Sequence, residues 1–574
     1  MDTQHEAFNK VFTVVIGGAA GDGVREAGTS LSRLLAKMGY EVFNSVDYPS
    51  LIRGGHNFSR VTFSQEKITS DYVGIDVLVA LNEETLKKHK DELLPGAVVI
   101  AESFDEQDKQ FFGDKALAVA MSQMAKELNA IPITRSSVAL GAVCYLLDLP
   151  FETMVADLKR VFAEKSLEAN ILLAEKGFEF LKGQNYRHSK SIRPHEQAES
   201  MELLDGNSAC GLGMVRAGLD CYVSYPMTPS SSILHYLAAH QRDFNIKVIQ
   251  PENEISAINM AIGISYAGKR SATGTSGGGF ALMEEAFSLA GMAETPIVVA
   301  LSQRPAPATG LPTYTSQADL RFAIHAGHGE FPRLVIAPGD AQESFKVSFD
   351  AMNLAWKHQL PAIVLLDRHL SESQVSGTLP EGSVARGEVK MHQGKPEEFL
   401  RYKFTEDGVS PMLFPGTAGA VVRSTSYEHD EEGLATEEKE VIVAQHDKRA
   451  AKAEGLKVDS RNYETVKTSG DMSAKDAVLF WGSTKGAVLE ASKYFAKPVR
   501  LIQVLWLEPF DSGRVLSALD GVERIIDVEC NATSQLAGLL RERTGLAATH
   551  AVLRYDGRPF DPLELADKIN KLIA

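Results

Sequence analysis

Along most of the 574 residues, apolar runs of strand length alternate with longer stretches of helical period, and this rhythm constrains the fold more than any other feature. The first part reads FTVVIGG, VREAGTSLSRLLAKMG, YEVFNSVDY, an apolar run around Val77–Leu81, and AVVIAES. The middle part gives CYVSYP, KVIQP, SATGTS, PIVVALS, RLVIAP and LPAIVLLD, separated by stretches such as EISAINMAIGISYAG and FALMEEAFSLAGMAE. The last part shows DAVLFWGS, PVRLIQVLWL and VERIIDVEC, followed by the helical ATSQLAGLLRER. Strand, helix and strand in succession predict parallel sheets covered by helices, so the expectation is an α/β chain of three doubly wound domains. Their expected limits are 1–185, 201–375 and 470–574, joined by a polar, basic, exposed linker at 186–200 and a connecting segment at 376–469. Within that segment EHDEEGLATEEKE carries seven acids in thirteen residues and reads as solvated chain.

Composition narrows the function. A net charge of −16 opposes a broad grip on nucleic acid or on an anionic membrane surface. No stretch approaches the about 18 apolar residues of a spanning helix, and MDTQHEAFNK lacks the features of a signal peptide, so a cytoplasmic protein is expected. The four cysteines, Cys144, Cys210, Cys221 and Cys530, form no CxxC pair and no ferredoxin-type run. Any iron-sulfur cluster this protein uses is therefore expected on another chain.

Chemistry concentrates in the middle part. In YPMTPSS, prolines 226 and 229 fix φ on both sides of Thr228 and present its hydroxyl on a stiff turn, with Ser230 and Ser231 at a helix start that suits an anion. An ordinary serine-capped turn reads the same way. Glu252 and Glu254 stand where a strand meets a helix, at the carboxyl edge of a parallel sheet where ligands bind, though acids in a first turn also serve the helix dipole. Gly277-Gly278-Gly279 allow close backbone approach but lack the Lys-Ser/Thr of a phosphate loop. Arg304 and Arg321 flank a proline-rich loop, and each suits a carboxylate ligand or a nearby acid. Gly17 to Gly23 has the wrong spacing for a dinucleotide loop, and His325 with His328 lacks a third metal ligand, so no metal site is expected on this chain.

YPMTPSS, PENEISAINMAIGISYAGKRSATGTSGGGFALMEEA and QRPAPATGLPTYTSQADL resemble the α subunit of 2-oxoacid:ferredoxin oxidoreductases, especially the 2-oxoglutarate type. RYKFTEDGVSPMLFPGT, YEHDEEG and VECNATSQLAGLL resemble the same family, and VVIGGAAGDGVREAG with YPSLIRGGHNFSRV is similar to its γ subunit, here fused in front. Met227 replaces the family's usual isoleucine, and Gly277-Gly278-Gly279 stands for glycine-proline-glycine. Ala20-Gly21-Asp22-Gly23 stands for GGQG, which leaves no defined role for that loop. The resemblance implies a thiamine diphosphate pyrimidine-type central domain and a transketolase C-terminal-like last domain. Its α chain shares the cofactor with a β subunit that carries the diphosphate site, Mg²⁺ and a [4Fe-4S] cluster.

By resemblance, Glu254 is the acid that activates the aminopyrimidine, preferred over Glu252 because Gly263 lies nine residues further along the helix. Tyr225, Pro226, Gly277 and Gly278 would line the cofactor, and Thr228 and Arg304 would hold the 2-oxoacid carboxylate. Gly21-Asp22-Gly23 with Asn44 is too short and too poor in asparagine for a thiamine diphosphate metal signature, and Asp22 is expected to cap or open the helix at Val24. The implied reaction joins a 2-oxoacid and coenzyme A to give acyl-CoA and CO₂, succinyl-CoA from 2-oxoglutarate, with electrons passed to ferredoxin, or runs in reverse. An α₂β₂ assembly is expected. Pyruvate or broad specificity, a non-oxidative thiamine diphosphate enzyme, and a nucleotide-binding protein built on the first domain are the rival readings.

Overall fold

All six apolar runs of the middle part form parallel strands of one sheet, in the order Lys247–Ile249, Cys221–Val223, Ser271–Thr275, Ile297–Gln303, Pro361–Asp367 and Leu334–Ile336. The two longest, Ile297–Gln303 and Pro361–Asp367, are buried along their whole length, as strands covered by helices on both faces must be. A computed structural model describes residues 10–50, 54–161, 164–191 and 199–574. Part of the expected linker, 192–198, and Leu51 to Arg53 of YPSLIRGGHNFSRV lie outside the described residues.

The N-terminal sheet has eight strands, and it departs from the parallel expectation. Val11–Ala20, Ile75–Ala80, Leu93–Ala101 and Ala116–Ala118 run parallel, but Glu41–Asp47 and Gly54–Ser64 form an antiparallel pair beside them. Alternation of apolar and polar residues marks a strand without fixing its direction, so YEVFNSVDY reads alike in both arrangements. Two strands from far along the chain, Gln374–Gly377 and Glu202–Asp205, extend this sheet beyond Glu41–Asp47. The C-terminal sheet runs Val466–Gly470, Arg500–Val504, Asp476–Phe480, Arg524–Glu529 and His550–Leu553, all parallel except the first. PVRLIQVLWL splits: its end, Trp506–Glu508, pairs antiparallel with Leu334–Ile336 of the central sheet.

The connecting segment is more ordered than its acidity implies. A 22-residue helix, Lys439–Ser460, buries Gln445, Lys448, Arg449 and Lys452. Lys448 Nζ lies 2.5 Å from Glu294 Oε1 and Lys452 Nζ 2.5 Å from Glu294 Oε2, all three side chains being buried. Burial alone would raise the Glu294 carboxyl, but the two ammonium groups hold it well below the usual carboxylate range. Glu428, expected in solvent, accepts two hydrogen bonds from Arg449 at 3.1 and 2.7 Å, and His429 is buried against Tyr402. A buried charge needs a partner, and these cations supply the anions with theirs. Among the described residues no helix is long and apolar enough to cross a membrane.

Candidate functional site

The six parallel strands of the central sheet end at one edge, where the connections after Val223, Ile249, Thr275 and Gln303 gather. Ser224 fixes the first connection by donating its hydroxyl to the Gly274 carbonyl at 2.7 Å. Tyr225, Pro226, Met227 and Thr228 follow, all half-buried, and the Thr228–Pro229 peptide is cis. The Met227 thioether sulfur receives the Ser276 hydroxyl at 2.7 Å, which seats this turn against the start of the glycine helix, Gly277–Met292. Ser230 does not cap the helix Ser231–Ala239 through its side chain; its hydroxyl turns back to the Met227 carbonyl at 2.9 Å.

The two acids of PENE separate clearly. Asn253 caps the helix Glu254–Tyr266 by accepting from the Ser256 amide, which turns Glu254 inward. Glu254 is 3% exposed and its Oε1 has no hydrogen-bond partner. Glu252 is exposed and accepts from the Ser256 hydroxyl, which lowers its pKa. A Cβ on Gly279 would stand 2.0 Å from Thr275 Oγ1 and 3.0 Å from Glu254 Oε1, so only glycine leaves the carboxylate its place. Gly278 is exposed on the same turn, and Gly263 is exposed with nothing near it.

Arg304 directs its guanidinium back across the edge and donates to the Thr228 carbonyl at 2.8 Å. Among the described residues it has no ion pair; burial alone lowers its pKa. Arg321 is instead engaged by Glu542. The structure thus brings Thr228 beside Arg304, and Glu254 beside the glycine turn on which Met227 rests.

One acid went unnoticed in the sequence. Asp319 is 9% exposed, its Oδ2 has no partner, and a Cβ on Gly277 would meet that oxygen at 2.4 Å. Burial pushes its pKa up to about 6. Nothing local marks it, because its surroundings come from distant parts of the chain such as Gly277 and Gln303. A carboxyl whose folded pKa is raised contributes no penalty at low pH and loses stability as pH climbs from its unfolded value through the folded one. Asp319→Asn is therefore expected to exceed the native chain in stability above pH 6 by up to about 3 kcal/mol, with the gain vanishing near pH 4, as followed by denaturant unfolding across that range.

The N-terminal glycine loop builds something different. Gly21 and Gly23 adopt φ of 95° and 75°, and Asp22 does not cap the helix Val24–Lys37 as expected. It closes the preceding turn, accepting from the Ala19 amide at 2.8 Å, and pairs with Arg135 at 2.6 Å. Asn44 is buried between Ser59 and Gln374. Among the described residues no group of three or more His, Cys, Asp or Glu side chains could hold a metal ion, His325 and His328 included.

Residues 212–448 match the family described as pyruvate flavodoxin/ferredoxin oxidoreductase, thiamine diphosphate-binding, and residues 13–180 match pyruvate ferredoxin/flavodoxin oxidoreductase. The α subunit of a 2-oxoacid:ferredoxin oxidoreductase from Sulfolobus sp. is 32% identical, over 97% of this chain and 96% of the relative. The chain belongs to the 2-oxoacid:ferredoxin oxidoreductase family. It is similar throughout its length to an α subunit, and so is a subunit of an enzyme of that class. The KorA subunit of a 2-oxoglutarate oxidoreductase from Mycobacterium tuberculosis is 29% identical over 97% of this chain and 90% of its own. The solved 2-oxoglutarate:ferredoxin oxidoreductase of Magnetococcus marinus, with 2-oxoglutarate, coenzyme A and succinyl-CoA bound, matches with a TM-score of 0.89 and 31% identity, over 98% of this chain and all of that one.

Proposed function

We propose that this chain is the α-type subunit of an oxidoreductase that converts 2-oxoglutarate and coenzyme A to succinyl-CoA and CO₂, passing two electrons to ferredoxin, or runs the reverse carboxylation. The observation that carries this reading is the orphaned Oε1 of buried Glu254 over a turn that only glycine can form. A buried carboxyl oxygen without a partner is costly and persists where a ligand supplies the missing hydrogen bond. An aminopyrimidine nitrogen is such a ligand, so the residues present fit thiamine diphosphate, with Tyr225, Pro226, Gly277 and Gly278 around it. That cofactor, when bound, supplies the nucleophile for attack on a keto carbon.

The remaining work falls to the chain's own side chains. Glu254 holds or releases a proton at Oε1, shielded from bulk water by its burial. Arg304 and the Thr228 hydroxyl orient the anionic end of the 2-oxoacid, the guanidinium being unspent on any acid of the described chain. Support for 2-oxoglutarate comes from the names of the relatives and from the ligands of the solved neighbour. The reading assigns the diphosphate, Mg²⁺ and a [4Fe-4S] cluster to a β subunit in an α₂β₂ assembly. Ile255, Met260 and Leu282, exposed by 49, 39 and 53% on the two helices that carry Glu254 and the glycines, offer the apolar surface that such a partner would cover.

Isolation of the chain with its native partner without oxygen, followed by coenzyme A-dependent reduction of a viologen dye, tests the proposal. 2-Oxoglutarate is expected to outpace pyruvate; failure of every 2-oxoacid in an intact complex, or turnover of a keto sugar by a partner-free chain, refutes it. Arg304→Ala is expected to raise KM for the 2-oxoacid about ten- to a hundredfold in initial-rate measurements, because a charge-assisted hydrogen bond to the substrate is lost.

A further inference from the structure

The C-terminal domain supplies none of the side chains assigned above to the cofactor or the 2-oxoacid, yet it grips the loop that follows Arg304. Gln317 lies at the centre of this grip and is fully buried. Its side-chain amide donates to the Trp481 carbonyl at 2.7 Å and accepts from the Cys530 amide at 2.8 Å. Its backbone amide donates to the Cys530 carbonyl at 2.8 Å, and Asn531 Nδ2 donates to the Gln317 carbonyl at 3.1 Å. Every polar group of Gln317 is thus committed to the C-terminal domain. The receiving surface is itself braced, since Glu529 accepts from both the Trp481 indole at 2.9 Å and Asn531 at 2.6 Å. Gly482, with φ of 54°, admits the Gln317 side chain: a Cβ there would lie 2.7 Å from its amide nitrogen.

The far side of this clamp leads straight to the site. Two residues beyond Gln317, the Asp319 amide donates to Gln303 Oε1 at 2.9 Å, and Gln303 Nε2 donates to the Leu366 carbonyl at 3.0 Å. Gln303 ends its strand and Arg304 follows it directly, reaching Thr228. Both ends of the loop therefore meet at Gln303, and hydrogen bonds at residues 315–318 anchor its second half to the C-terminal domain.

We propose that Gln317 is a positioning residue through which the C-terminal domain sets the pose of Arg304, the two being linked by the Asp319–Gln303 hydrogen bond. The inference rests on the reading of Arg304 as the substrate-carboxylate ligand. A residue acting this way governs how well the 2-oxoacid is held and leaves the chemistry at Glu254 largely alone, so its loss raises KM more than it lowers kcat.

The test uses the intact complex with native chain, Gln317→Ala, Gln317→Glu and Arg304→Ala. Gln317→Ala is expected to raise KM for the 2-oxoacid about tenfold with kcat within about twofold, in line with loss of positioning rather than of a reacting group. Hydrogen-deuterium exchange, which needs no turnover, should show residues 305–318 losing protection while the central strands keep theirs. Gln317→Glu adds a signature that mere destabilisation does not give. A buried carboxylic acid keeps both a donor and an acceptor while protonated and loses the donor on ionising. The ratio of its KM to the native value should therefore stay near one at pH 6 and climb towards pH 9. If Gln317→Ala does not fold, this ratio decides the matter. A pH-independent ratio near one for Gln317→Glu, or an unchanged KM for a folded Gln317→Ala beside a raised KM for Arg304→Ala, overturns the inference alone. An unchanged KM for Arg304→Ala overturns the reading of the site as well.

Discussion

Glu254→Ala is expected to lower kcat of the assembled enzyme by at least about a hundredfold, the usual scale for removing a group that handles a proton in the reaction. The same substitution should leave the fold as stable as before or slightly more so. Glu254 Oε1 is buried without a partner, and deleting such an atom relieves a desolvation cost instead of breaking a contact. Loss of turnover without loss of stability separates a functional acid from a structural one. Glu252→Ala serves as the control: Glu252 is exposed and accepts from Ser256, and its variant should retain most activity. Anaerobic dye reduction, with thermal unfolding measured on the same preparations, decides it. Retention of more than a tenth of native kcat by Glu254→Ala, or a loss at Glu252 as large as at Glu254, would remove Glu254 from its role.

Glu294→Gln should produce the largest effect on stability, about 3–5 kcal/mol, because two buried ammonium groups would lose the carboxylate that pairs with both. The helix Lys439–Ser460 is the element that should come loose, since Lys448 and Lys452 fasten it to the central domain. Burial already depresses the Lys452 pKa to about 7, and Glu294 works against that depression. Without Glu294 the Lys452 ammonium gives up its proton at a lower pH still and then needs no anion, so the deficit should shrink as pH rises towards 7 and change no further through Lys452 above it. Denaturant unfolding of native and variant chains at several pH values measures both. A cost under about 1 kcal/mol at neutral pH would show the triad to be dispensable.

Which parts of this molecule can be read from its sequence follows from how local each signal is. The six central strands announce themselves as apolar runs because both faces of a parallel sheet are covered. The turn YPMTPSS and the glycines after TGTS are visible for the same reason: proline and glycine act on their own backbone. Other features are decided at long range. The helix Lys439–Ser460 buries lysine, arginine and glutamine where an apolar stripe would normally lie, so its periodicity is hidden. Asp319 acquires its raised pKa from burial in the folded chain, where it lies against Gly277. Even the contrast between Glu252 and Glu254 is settled by Asn253, whose cap rotates one acid inward and leaves the other in water.

The strands that cross between parts of the chain carry a mechanical consequence. Glu202–Asp205 and Gln374–Gly377 are hydrogen-bonded into the N-terminal sheet, and Trp506–Glu508 into the central one. Each module is sutured to its neighbour by backbone, not merely laid against it by side chains. A hinge that swung the N-terminal part away would have to tear a sheet, and a shortened chain ending before residue 200 would expose Glu41–Asp47 as a raw, adhesive edge. Motion during turnover is thereby confined to what the seams permit: loops, side chains, and whatever docks from outside.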